Sequence, residues 1–160
     1  MTNLPALTVW QPWASLIAIG AKPYEFRGWR APRAYQGRRI AIHAAARPVR
    51  IAEVVEMIED LTSDRAWTTC LDAKLALPVL ERVYRDPKIL PLSAVVCTAM
   101  LGVPRHGDDI AAEFGGPVND SDRHDHAHWG WPLTDVFVLE PPAPARGAQG
   151  FWTWTDVRLA

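Results

Sequence analysis

A chain of 160 residues, 49% hydrophobic and 22% charged, has the make-up of one folded domain that buries its core without disulfide or metal staples. Its two cysteines, Cys70 and Cys97, form no CxxC pair, the start MTNLPALTVW lacks a signal peptide's basic region, and no apolar run reaches the roughly 20 residues of a membrane span, so a cytoplasmic protein without membrane contact is expected. The net charge of −1 is unevenly spread: Lys22 to Arg50 holds eight basic residues against the single acid Glu25, a net +7, while the remainder carries −8, and such asymmetry hints at a polyanionic partner.

Leu7-Thr8-Val9-Trp10 reads as a strand. Pro12 suits the first turn of a helix, Trp13, Leu16 and Ile17 follow at helical spacing, and Gly20 is placed to end it. Pro23 to Trp29 reads as a strand in which alternation sends Tyr24 and Phe26 to the core and Glu25, Arg27 and Trp29 to the other face. In the next strand, Arg38 to Ala44, Ile40 and Ile42 point inward, His43 points to the opposite face, and Arg38 and Arg39 diverge. From Val49 to Tyr84 the pattern turns helical, with Ile51, Val54, Val55 and Ile58 on an apolar stripe and Pro78 expected to kink or divide the second helix. Ser93 to Val103 reads as a buried strand, and residues 104–128 as an irregular connection with one helical turn near Ile110 to Phe114. Trp131 to Leu139 reads as a strand, Glu140 to Arg146 as a Pro-rich connector, and Gly150 to Thr155 as the last strand. This order does not fit a doubly wound parallel sheet, which alternates strand and helix throughout. An α+β fold follows: one domain over residues 1–160, built as a small mixed β-barrel with flanking helices and a helical insertion at about residues 48–90.

The chemistry concentrates in GAKPYEFRGWR, Gly20 to Arg30. Glu25 and Arg27, two apart on one strand face and so roughly 6.6 Å apart along it, can converge on one small ligand. Lys22 stands at the helix-to-strand junction, where a tight turn swings its amine toward the same spot; in a partly buried cleft such a lysine and Glu25 form a proton-transfer pair. The plainer alternative is an exposed salt bridge of little consequence. Among eight tryptophans, Trp29 shares the face of Glu25 and Arg27 and is the best candidate to stack on a base, ahead of Trp10, while Trp13, Trp152 and Trp154 read as core. Arg30, Arg33 and Arg38 suit phosphate contacts. His43 either donates to a base or phosphate or is a half-buried histidine satisfied by backbone. The run RHDHAHW sets His124, His126 and His128 at alternate positions, but no further ligand pattern stands nearby. It reads as an acidic loop, with Asp108, Asp109, Asp120, Asp122 and Asp125, that could cover the cleft; no metal and no cofactor are expected.

LTVWQPWASLIAIGAKPYEFRGW followed by YQGRRIAIHAAA resembles the ASCH domain, whose G-x-K-x-x-E-x-R run is met by Gly20, Lys22, Glu25 and Arg27; the closing RGAQGFWTW is similar too. The likeness covers residues 7–46 and about 93–155 and implies a PUA-like barrel that binds RNA or DNA. One branch of the family removes an acyl group from a modified cytidine nucleoside with a lysine, a threonine three residues later and a distant glutamate. Lys22 matches that lysine, but Glu25 stands in place of the threonine, so the hydroxyl nucleophile is missing there. The expected function is binding of nucleic acid, RNA foremost, or of a nucleotide-like small molecule, through Lys22, Glu25, Arg27, Trp29, Arg30, Arg33, Arg38 and His43. The alternative is a hydrolase of RNA or a modified nucleoside, a ribonuclease or amidohydrolase, with Lys22 and Glu25 as catalytic acid and base. A third reading is a protein-interaction module using the helices between residues 50 and 85.

Overall fold

The computed structural model describes residues 2–117 and 128–156. Strand β1 (Thr2–Val9) starts earlier than the local pattern indicates, because its first residues pair antiparallel with the far end of the chain, β7 (Phe151–Asp156), from Thr2↔Asp156 to Leu7↔Phe151. Helix α1 (Trp13–Ala18) follows Pro12 and buries Ala14, Leu16 and Ile17. Gly20 then takes φ +80, the left-handed conformation glycine adopts without strain, and turns the chain back so that the backbone amides of Ala21 and Lys22 both donate to the Leu16 carbonyl.

The remaining elements are β2 (Tyr24–Arg27), β3 (Arg39–Ala44), α2 (Ile51–Leu61), α3 (Ala73–Arg85), β4 (Ala94–Leu101), β5 (Arg105–His106), α4 (Gly107–Glu113) and β6 (Trp129–Pro144). Among the described residues seven strands form one sheet in the order β2-β6-β4-β3-β1-β7, with β5 on β6, and of these strands only β1 and β3 run parallel. The α+β class is as expected, but the sheet does not close by hydrogen bonding: β2 and β7 are its two ends and do not pair with each other. β3 lies centrally with both faces covered, which is why Ile40, Ala41, Ile42, His43 and Ala44 are all buried rather than alternating.

Two differences from the sequence reading are instructive. β6 runs on to Pro144, through the stretch expected to be a connector. Beyond Trp129–Pro132 it pairs with β4 alone, and Pro141 and Pro142 fall in the register shift between Val138 and Ala143, where the ladder with β4 is interrupted and residues without an amide proton are tolerated. Pro78 does not divide α3: the helix is capped by the Asp72 carboxylate accepting from the Leu75 amide and continues through the proline to Arg85. Its buried residues Ala76, Val79, Leu80 and Val83 pack with Val54, Met57 and Leu61 of α2, and the packing outweighs one missing helical bond. This helical cluster joins the rest of the molecule through Leu16 and Ala21, and the Asp72 amide donates to the Ala21 carbonyl at 2.8 Å. The helices thereby brace the turn that carries Lys22.

Candidate functional site

A cleft of about 900 Å³ is walled by residues from both free ends of the sheet. Glu25, Phe26 and Arg27 of β2 form one side, with Lys22 and Trp29 at either end of that strand. Thr8, Val9 and Trp10 at the end of β1 and Trp13 of α1 form the back. Ala148, Gln149 and Gly150, just before β7, and Thr69, between α2 and α3, complete the wall. The structure therefore brings Lys22, Glu25, Arg27 and Trp29 together around one concavity.

Glu25, Arg27 and Trp29 share the cleft side as alternation indicates, but burial on β2 does not alternate as expected. Glu25 is among the buried residues, while Tyr24 and Phe26 are half-buried. β2 has no solvated face: Glu25 lies opposite the buried Trp131 in the ladder, and the other side is covered by α4 and β5. There the Tyr24 hydroxyl donates to Glu113 and accepts from Arg105, and a Cβ on Gly130 would strike Ile110 of α4 and the Phe26 ring. The charged side chains sit inside because they neutralise one another.

Lys22 is 7% exposed and its Nζ donates to the Tyr24 carbonyl at 2.7 Å. Burial pulls the ammonium below its ordinary value; Glu25, with Oε2 3.9 Å from Nζ, opposes that shift, and Arg27 adds to it. The ammonium also lies 5.0 Å from the centre of the Phe26 ring. On the other side of the carboxylate, Arg27 Nε stands 3.2 Å from Glu25 Oε1, and Arg27 Nη2 donates to the Thr8 carbonyl at 3.3 Å. Glu25 Oε2 and Arg27 Nε make no hydrogen bond, so the carboxylate is held between two cations by attraction rather than by a satisfied network. Buried polar atoms left in this state mark a place where a ligand or water completes the arrangement.

Two tryptophans stand open at the cleft, Trp10 at 54% and Trp29 at 61% exposure. The Arg47 guanidinium lies 3.8 Å from the centre of the Trp10 ring and is itself held by both carboxylate oxygens of Glu53. Trp29 is fixed through its backbone, whose carbonyl accepts from the Trp131 indole. Trp154 is buried as expected, whereas Trp13 is only half-buried and lines the cleft.

The other candidates lie elsewhere. Arg30, Arg33 and Arg38 are exposed along the segment that leaves the cleft after Trp29, and none of them lines it; Arg30 rests 4.9 Å from the Trp129 ring and Arg38 5.9 Å from Tyr35. His43 is 2% exposed and does not reach the cleft. Its Nε2 lies 2.7 Å from the Ala145 carbonyl, which only accepts, so Nε2 carries the proton. Nδ1 then accepts from the Thr8 hydroxyl, 3.3 Å away, which in turn accepts from the Trp152 indole. Burial lowers the pKa of this imidazole, and it is the backbone-satisfied histidine of the plainer reading. Its role is indirect: Gly147 sits so close to the ring that a Cβ there would lie 2.6 Å from Cε1, which fixes the segment ending in Ala148, Gln149 and Gly150. Sequence reasoning missed Thr8, Thr69 and this segment as wall; the glycines of RGAQG were the available signal.

Of the histidine loop, His128 is described; residues 118–127, with His124, His126, Asp120, Asp122 and Asp125, lie outside the described residues, and so does the reading of that loop as a cover. Among the described residues no group of His, Cys, Asp or Glu could hold a metal, and no helix is long and apolar enough to cross a membrane.

The ASCH domain family model matches residues 7–90, slightly more than half of the chain. The chain belongs to the ASCH domain family. The matched span includes the turn with Lys22, Glu25 and Arg27 and also α2 and α3, and it stops before β4. A search of curated protein sequences returns no match.

Proposed function

We propose that this protein is a nucleic-acid-binding domain, with RNA as its foremost ligand, and that the cleft around Lys22, Glu25, Arg27 and Trp29 is where the ligand is held. The observation that carries this is the convergence of the family's lysine, glutamate and arginine on a concavity flanked by two exposed indoles. Membership of the ASCH family supports it, and a PUA-like arrangement of the open sheet and a cytoplasmic setting belong to the same reading. Arg30, Arg33 and Arg38 continue from the cleft mouth as solvent-exposed cations of the kind that track a phosphate backbone. The test is binding to labelled single-stranded RNA over a salt series. Affinity should fall steeply with salt, and Arg30→Ala with Arg33→Ala should flatten the logarithmic slope by about one for each phosphate contact removed. Unchanged affinity and slope in that variant, and in Arg27→Ala, would refute it.

One observation favours a second reading, hydrolysis of RNA or of a modified nucleoside. Lys22 is buried, depressed in pKa and 3.9 Å from a carboxylate that lines the same cleft, which suits it to exchange a proton with Glu25. Incubation with labelled RNA and with acylated nucleosides tests it; product that still forms with Lys22→Ala removes these roles.

A further inference from the structure

We propose that the cleft takes one unpaired nucleobase, and that the phosphates of the strand stay outside it on the arginine segment, so that the protein reads single strands. This rests on the nucleic-acid reading above and names which part of the ligand enters the hollow.

The cations inside the cleft are poorly placed to receive a phosphate. Lys22 donates one of its three N–H groups to the Tyr24 carbonyl and Arg27 one of its five to the Thr8 carbonyl, and the obstacle to a phosphate is the carboxylate beside them. The Glu25 carboxylate lies between them, 3.9 Å from one and 3.2 Å from the other. A phosphodiester entering here meets that negative charge at close range and competes with it for both partners. A neutral base meets neither obstacle.

The wall is built for a flat ring. Trp10, Trp13, Phe26 and Trp29 are four of the thirteen lining residues, and Val9 adds further apolar surface. Trp10 has one indole face occupied by Arg47, which Glu53 pins, so this ring is held in place before any ligand arrives. Trp29, 61% exposed, is the most open ring at the mouth. Exposed indoles of this kind stack bases of any sequence. A base within a duplex already has both faces stacked, so insertion requires an unpaired nucleotide. The exposed guanidinium groups of Arg30, Arg33 and Arg38 begin at the residue after Trp29, where the backbone of a strand with one inserted base would leave the cleft.

The test uses the full chain, a labelled single-stranded RNA, the same sequence as a duplex, the four free ribonucleosides and ribose 5-phosphate. Free nucleosides should displace the labelled strand and quench tryptophan emission with an affinity that hardly changes between low and high salt, while ribose 5-phosphate should do neither. The duplex should bind about tenfold more weakly than the single strand. Trp29→Ala should lower nucleoside affinity about tenfold, and Trp29→Phe should restore most of it. If ribose 5-phosphate displaces the strand and nucleosides do not, or if duplex and single strand bind equally, this proposal is overturned while the nucleic-acid reading stands. If neither form of RNA nor any nucleoside binds, both fall.

Discussion

Gly147→Ala is the most informative single substitution next to the cleft wall, since Gly147 directly precedes the lining residues Ala148, Gln149 and Gly150. A Cβ at this position would lie 2.6 Å from His43 Cε1, 2.7 Å from His43 Nδ1 and 2.7 Å from Thr8 Oγ1. Heavy atoms in ordinary contact stand at about 3.5 Å or more, so the segment has to move outward by roughly 0.8 Å. The ring has little freedom to retreat, because the Ala145 carbonyl and the Thr8 hydroxyl engage its two nitrogens and Trp152 meets it edge-on at 5.3 Å. Overpacking of this kind costs about 1–3 kcal/mol. For a chain of this size each kcal/mol lowers the unfolding midpoint by about 2–4 °C, so a drop of roughly 2–12 °C is expected in thermal unfolding followed by circular dichroism. Ala148, Gln149 and Gly150 move with the segment, and RNA affinity measured well below the midpoint should weaken several-fold. A variant with both the wild-type midpoint and the wild-type affinity would show that Gly147 is not confined as described and that this wall is not set by His43.

Three further outcomes are expected. His43 has its pKa held below the ordinary 6.5 by burial, so the stability that comes from keeping it neutral is complete above that pH and is lost as pH falls below it toward the folded-state pKa; urea midpoints between neutral and mildly acid pH should show this loss in the wild type and less of it in His43→Gln. Glu25→Gln leaves two cations facing each other with no anion between them, and because Arg27 is partly exposed the cost should be at the low end for a broken buried pair, about 3 kcal/mol by denaturant titration; an unchanged midpoint would mean the three groups are not coupled. Cys97 is pushed up to about 12 by burial and the buried Cys70 is also raised, so neither thiol should react with a thiolate-selective reagent at neutral pH until the chain is unfolded, when both should react.

The positions that were legible in the sequence are those whose cause is local. Gly20 ending α1, the helical spacing of Trp13, Leu16 and Ile17, and the continuous apolar run of β4 each depend on neighbours a few residues away. Lys22, Glu25 and Arg27, the residues the motif singles out, line one cleft. The motif did not reveal how burial is shared along β2, with Glu25 buried and Tyr24 and Phe26 half-buried, because the cover on the Tyr24 side comes from α4, residues 107–113, more than 80 positions from Tyr24. The same limit explains β1 and β6. Thr2 becomes strand because it meets Asp156, and the proline-rich end of β6 becomes strand because β4 lies alongside it. The burial of His43 likewise depends on Gly147, a residue that no local pattern connects to it.

Backbone-amide and indole resonance mapping by NMR during titration with a short single-stranded RNA tests the central claim most directly. Perturbations are expected at residues 8–10, 22–29 and 148–150 and at the indole N–H groups of Trp10 and Trp29, with weaker, salt-sensitive shifts along residues 30–38. Saturable shifts confined to α2 and α3, or to the outer face of β6 around Phe137, with the cleft residues unmoved, would contradict it.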